Sequence, residues 1–265
     1  METIETIAEY INVVHKTLAQ WGNDISNTHA WFRGQSNKSW TLLPKLYRPN
    51  ENPLREREMF RDFKLRANEF ISIPLENDME LLFIMQHYGM PTRLLDWTES
   101  YLFALLFAVE SEDISVDAAV WILNSAEFNG FFAHLNRVPM SSHDLFEEYL
   151  LNIDATDGTH RYISAMCPMA VRPRRSTARI VAQRGMLTIH GSEKKSIDDY
   201  VKTQETPFNL LEKIIISGKS KSRIKKELLL AGISYSTLFL DLDGLSKEIS
   251  YRYSLNYMDT KITGP

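Results

Sequence analysis

The chain has 265 residues, 44% of them apolar, with 11 glycines and 10 prolines. That is enough to bury a substantial core, and the composition excludes a fibrous or disordered protein. A formal charge of -4 gives no global attraction to nucleic acid or to an anionic membrane, which leaves local basic clusters as the only route to a phosphate. The single cysteine, Cys167, excludes an intramolecular disulfide; with no signal sequence at the N-terminus, the expectation is a reducing cytoplasm. Cys167 lies between Met166 and Pro168 without a local signature, and it reads as structural rather than nucleophilic. No apolar run approaches the roughly 18 residues of a membrane span; Leu102 to Val109 comes nearest.

In chain order, Ile4, Ile7, Ala8, Ile11, Val14 and Leu18 recur at helical spacing, and Asn23 to His29 is a polar turn. Ala30 to Arg33 reads as a short strand ending in Gly34, which permits a close backbone approach or a sharp turn. The charged run from Leu54 to Phe70 predicts an amphipathic helix with a solvated face of Arg and Glu. Asp78 caps a further helix, Met79 to Tyr88, which Gly89-Met90-Pro91 ends. Thr98 is the expected N-cap of a helix from Ser100 to Val109, apolar nearly all round and therefore central to the core. Ala118 to Leu123 reads as a buried strand.

Residues 124–167 are polar, with a Phe-rich patch and the turn Asp157-Gly158, and read as a subdomain, insertion or lid. Arg172, Arg174, Arg175 and Arg179 make the next tract basic, and Arg179 to Ala182 and Gly185 to His190 read as strand segments around a bend. Lys213 to Ser217 is a strand, followed by a helix from Ser220 to Ala231 with Gly232 as its C-cap and a final helix from Leu245 to Tyr253. The expected class is α+β: a mixed, strongly twisted or split β-sheet surrounded by helices. The expected organisation is an N-terminal helix and lead-in (1–28), one domain (29–250) and a C-terminal tail (251–265).

One stretch stands apart: Gln86-His87-Tyr88-Gly89-Met90-Pro91-Thr92-Arg93-Leu94-Leu95-Asp96-Trp97-Thr98. It sets five kinds of hydrogen-bonding side chain around a Gly/Pro turn, and such groups must be satisfied internally or face a ligand. Trp31-Phe32-Arg33-Gly34-Gln35 upstream and Arg179-Ile180-Val181-Ala182-Gln183-Arg184-Gly185 downstream are two more dense patches. Together they predict a polar pocket assembled from distant parts of the chain. Arg33 beside Gly34 reads as a phosphate or carboxylate clamp, or as a tie to Asp96. Gln35 suits a base or amide edge, or a loop. His87 is the natural acid/base, or a satisfied histidine at a helix end. Arg93 and Asp96 read as a pair on one turn; Trp97 reads as core; Arg184 completes an anion site with Gln183 and Gly185, or is solvated. The histidines form no metal-ligating set, and Asp241 and Asp243 read as a turn rather than a Mg²⁺ site.

These patches resemble the FRG domain family, named for the Phe-Arg-Gly tripeptide that stands here as Phe32-Arg33-Gly34. Arg33-Gly34-Gln35, Trp40-Thr41-Leu42-Leu43-Pro44, the stretch from Gln86 to Thr98, Ala182-Gln183-Arg184-Gly185 and Leu238 to Leu245 carry the resemblance from about residue 30 to 247. It implies a prokaryotic accessory or effector protein with links to anti-phage and toxin systems. The order of its polar motifs is similar to that of ADP-ribosyltransferases, which use an early-strand Arg or His, a second-strand Ser, Thr or Tyr, and a late Glu or Gln. On that likeness NAD is the substrate, Arg33, Gly34, Gln35, Arg93, Asp96 and Arg184 bind it, and His87, Arg33, Thr98 and Gln183 are catalytic. Gln183 cannot act as a carboxylate, so Glu212 or another acid must serve, or a mechanism without one.

Three function classes follow: an ADP-ribosyltransferase-like effector with a protein, nucleic-acid or water acceptor; a non-catalytic module sensing a nucleotide or phage component; and nucleic-acid binding through Arg172 to Arg184.

Overall fold

The computed structural model describes residues 3–22, 29–71, 75, 77–144, 146, 149–150, 167–174, 178–203 and 210–262. The expected turn Asp157-Gly158 and Arg175 lie outside them. The β-branched and aromatic runs form β1 (Thr3–Ile4), β2 (Ala30–Gln35), β3 (Leu94–Thr98), β4 (Ala118–Asn124), β5 (Met169–Val171), β6 (Gly185–Ile189) and β7 (Leu211–Ile216). They make one sheet in the order β1-β7-β4-β2-β3-β6-β5. The β1/β7 pair is parallel and the other neighbours are antiparallel, so the sheet is mixed and the class is α+β.

Pairing is uneven. β2 pairs with β4 along its whole length, from Ala30 opposite Asn124 to Gln35 opposite Ala119. β3 pairs with β6 just as fully. Between β2 and β3 a single pair remains, Phe32 opposite Thr98. Beyond it the two strands part, and the sheet is continuous in order yet open at its centre.

One face packs beneath the helices Ile7–Gln20, Tyr101–Ala108 and Lys221–Leu230, with Tyr10, Val14, Leu105 and Ile224 over Phe32, Ile122 and Ile216. Thr6 and Glu9 form a reciprocal capping box at the start of the first of these. The Tyr101–Ala108 helix is buried as its composition demands, and it sits directly on β2. A Cβ at Gly34 would lie 1.9 Å from the Ala104 carbonyl oxygen and 2.6 Å from the Ala108 nitrogen, so this helix accounts for the glycine. The opposite face buries Trp31, Trp97 and Trp121 with Phe128 and Tyr200. The β3/β6/β5 end packs against the helix Asp78–His87.

Several elements differ from expectation. Asn77, not Asp78, accepts the amide of Glu80 and caps that helix. Ser100 caps Tyr101–Ala108, while Thr98 Oγ1 accepts the Ser100 amide one step earlier. Ala178–Ala182 is a short helix rather than a strand, and Leu94–Thr98 is a strand that the polar motif concealed. Ser125–Ala133 in the illegible region is a helix. The final helix spans Leu242–Ile262 and runs past residue 250 without a break. Among the described residues, no helix is long and apolar enough to cross a membrane.

The expected Arg93–Asp96 pair does not form. Residues three apart in extended chain project from opposite faces. Arg93 instead buries its guanidinium against Glu56, with Nε and Nη2 donating to the two carboxylate oxygens at 2.8 and 2.5 Å and Nη1 to the Tyr149 carbonyl at 3.1 Å. Glu56 is therefore the buried exception in a helix (Glu56–Arg66) expected to show its charges to water. His190 is also fully buried nearby, where burial and the Arg93 charge push its pKa down to about 3.

Removing one partner strands the other charge, so Glu56→Ala should lower stability by about 3–5 kcal/mol in urea denaturation. His190 takes up a proton in the unfolded chain near pH ~6.5 but in the fold only near 3. Its contribution to stability is thus intact above about pH 6.5 and is lost on acidification toward pH 3, by up to ~1.4 kcal/mol per pH unit. His190→Phe should flatten that limb of a pH–stability profile.

Candidate functional site

The parting of β2 and β3 opens a cleft of about 770 Å³, within the ~300–1,000 Å³ range of small-ligand sites. Phe32 to Gln35 of β2 and Asp96 to Thr98 of β3 line it, facing each other across the gap. Further segments add to its walls: the loop after β2 with Ser36, Trp40 and Arg48; the end of the Asp78–His87 helix with Gln86 and His87; Glu110 after the Tyr101–Ala108 helix; and the approach to β6 with Ile180 and Gln183.

Arg33 occupies the gap itself. Its Nη1 donates to the main-chain carbonyl of Asp96 at 2.5 Å, replacing a ladder hydrogen bond that the parted strands no longer make. Its Nε is shielded from solvent and has no hydrogen-bond partner among the described residues. Burial pushes the Arg33 pKa down to about 10, with Asp96 opposing and Arg48 adding to the shift. The group stays cationic at neutral pH. Arg33 ties two segments together, through the Asp96 carbonyl rather than its carboxylate.

Asp96 keeps its carboxylate exposed in the cleft. Gln86 Nε2 donates to it at 2.9 Å, and Gln86 Oε1 accepts the Thr92 hydroxyl at 2.5 Å. The central motif therefore folds back on itself to fix one acid. His87 ends its helix at the cleft wall, with its ring 5.0 Å from that of Tyr88 in a T-shaped contact. Thr98 is buried; its hydroxyl donates to the Gln183 carbonyl at 2.7 Å and so holds the turn that carries Gln183. Gln183 lines the cleft, and its Nε2 is a second solvent-shielded donor without a partner among the described residues.

Other candidates are used by the fold. Gln35 is 4% exposed, donating to the Thr41 carbonyl at 3.1 Å and accepting Trp121 Nε1 at 2.7 Å, which is the loop-holding alternative. Arg93 lies in its ion pair outside the cleft lining. Arg184, in a left-handed conformation at φ 47°, turns its side chain to solvent and also falls outside the lining. Glu212 stands on β7, separated from β2 by β4, and does not reach the site. The carboxylates among the described lining residues are Asp96 and Glu110. Trp97 is core, with Nε1 on the Thr188 hydroxyl at 3.1 Å. In the basic tract, Arg174 pairs with Glu80. No group of three or more metal-ligating side chains occurs among the described residues.

Sequence reasoning missed Arg48, Trp40 and Glu110. The signal for the first two was an aromatic and an arginine in a Pro-bounded polar segment, Trp40 to Pro49. Glu110 follows the core helix and carried no local signal.

The fold and site define an α+β protein with a polar cleft, lined by arginines and carboxylates alike, in an opened sheet. The family model for the FRG domain matches residues 28–116. That stretch contains Arg33, the whole Gln86-to-Thr98 motif and the helix packed on Gly34; it stops short of the Gln183 wall. No curated protein and no solved structure matches the chain.

Gln35→Leu should expose the double use of that amide. It leaves Trp121 Nε1 and the Thr41 carbonyl without partners, and urea denaturation should register a loss of about 1–3 kcal/mol.

Proposed function

We propose that the cleft binds NAD and that the protein is an ADP-ribosyltransferase-like enzyme. The observation that carries this reading is that two shielded donors without a partner among the described residues, Arg33 Nε and Gln183 Nε2, belong to distant segments that line one cleft. A native fold leaves such donors unpaired at a cost of about 1–3 kcal/mol each, which a ligand with acceptor oxygens recovers. Arg33 and Arg48 supply the charge for a pyrophosphate.

Cleavage breaks the ribose C1′–nicotinamide N1 bond. The electron pair goes to the pyridinium nitrogen, which leaves neutral nicotinamide, and the ribosyl cation is captured by the acceptor's nucleophilic atom. Asp96, held by Gln86, takes the place left vacant by the distant Glu212: its carboxylate faces the developing positive charge or receives the acceptor's proton. Protein, nucleic acid and water all remain acceptors on this reading. An effector or toxin role, in anti-phage defence among others, is supported by the family resemblance alone.

The test uses labelled NAD, alone and with protein and nucleic-acid acceptors. Nicotinamide should be released; Asp96→Asn should abolish release while retaining NAD binding. Arg33→Ala, checked for an intact fold, should weaken binding by about 10- to 100-fold. NAD bound and left intact with every acceptor would favour the alternative, a nucleotide-sensing module, for which the same cleft and donors speak. NAD neither bound nor cleaved would overturn the enzyme reading and send the sensing reading to other nucleotides and phage components.

A further inference from the structure

We propose that Trp40 is a preformed stacking platform for the planar heteroaromatic ring of a nucleotide, at the mouth of the cleft. This deepens the NAD reading by giving the ring end of the ligand its own subsite. Trp40 is 53% exposed, whereas Trp31, Trp97 and Trp121 are all buried and Trp21 is half-buried. A single exposed apolar side chain is ordinary by itself. Two further observations set this one apart.

The first is that its loop is fixed in place. Lys221, 1% exposed, donates Nζ to the Ser36 and Asp113 carbonyls at 3.0 Å each. The Lys38 amide donates to the Asp117 carbonyl at 2.8 Å, and Lys213 Nζ reaches the Lys38 carbonyl. Gln35 Nε2 holds the Thr41 carbonyl, and the Leu42 amide donates to Asp198 Oδ1 at 2.8 Å. Asn37 closes the turn, with its carbonyl accepting the Trp40 amide and its side chain accepting from Ser39. Irregular backbone on both sides of Trp40 is thus tied to β2, β7, the β4 approach and the Ile197–Thr203 helix. A loop ordered by so many remote groups has already lost its conformational entropy, so a ring it presents binds without that cost.

The second is its company. Trp40 lines the same cleft as Arg33 and Arg48, which places an aromatic face and two guanidinium groups around one space. An anion alone has no use for the indole, and an apolar ligand has none for the arginines. A base ring joined to phosphate uses both.

The experiment compares ADP, which has a ring, with inorganic pyrophosphate, which has none, on the wild-type chain, Trp40→Ala and Trp40→Phe. Affinities come from calorimetry, and the fold of each variant is checked by urea denaturation. Trp40→Ala should weaken ADP by roughly 10- to 100-fold, leave pyrophosphate unchanged, and Trp40→Phe should restore most of the loss. ADP should also shield wild-type tryptophan emission from acrylamide. An unchanged ADP affinity in Trp40→Ala, an equal loss for pyrophosphate, or no ADP binding by the wild type would overturn the proposal. ADP has no nicotinamide–ribose bond, so stacking can fail while NAD cleavage stands, and cleavage can fail while stacking stands.

Discussion

The arrangement of this molecule depends on a ladder that is missing. β2 and β3 lie next to each other at the centre of the sheet and share one residue pair, while each is fully paired on its other side. A central strand edge cannot be left with bare carbonyls, because buried backbone groups need partners. Arg33 supplies one from a side chain. That bond stands where a ladder bond would, and residues of both strands line the cleft. Gly34 completes the arrangement from behind, since only a residue without Cβ lets the Tyr101–Ala108 helix press onto β2 at the point of parting.

Around this gap the polar side chains divide into two groups. Arg93, Gln35, Gln86, Thr92 and Thr98 spend their hydrogen bonds on the protein, joining β3 to the Glu56–Arg66 helix, the β2 loop to Trp121 and the β6 turn to β3. Arg33, Gln183 and Asp96 line the space between, the first two with a donor unpaired among the described residues and the third with an exposed carboxylate. The first group is much the larger, and it gives the second its fixed geometry. A dense polar motif is in this case mostly scaffold, with a few groups left for chemistry.

The loop after β2 follows the same logic. The buried Lys221 and the half-buried Lys213, from elements far along the chain, and the neighbouring Gln35 amide fasten its backbone, and the result is a rigid wall carrying Trp40 and Arg48. Long-range fastening of this kind also explains why three patches separated by as many as 150 residues act as one site.

The sequence by itself determined the α+β class, the Tyr101–Ala108 core helix, the buried strand that follows it from Ala118 and the patches that resemble the FRG family. Hydrophobic period and unusual local composition are written in neighbouring residues, and both survive without knowledge of what packs where. It also singled out Arg33, His87, Thr98, Asp96 and Gln183, all of which line one cleft. Only the tertiary structure decided that Arg93 pairs with Glu56 across 37 positions, that Gln35 is a brace, that Leu94–Thr98 is a strand and that Glu212 is remote. The reason is that a polar side chain's role is set by which partner arrives within hydrogen-bonding reach, and such partners come from elements whose order in the sheet local sequence does not encode.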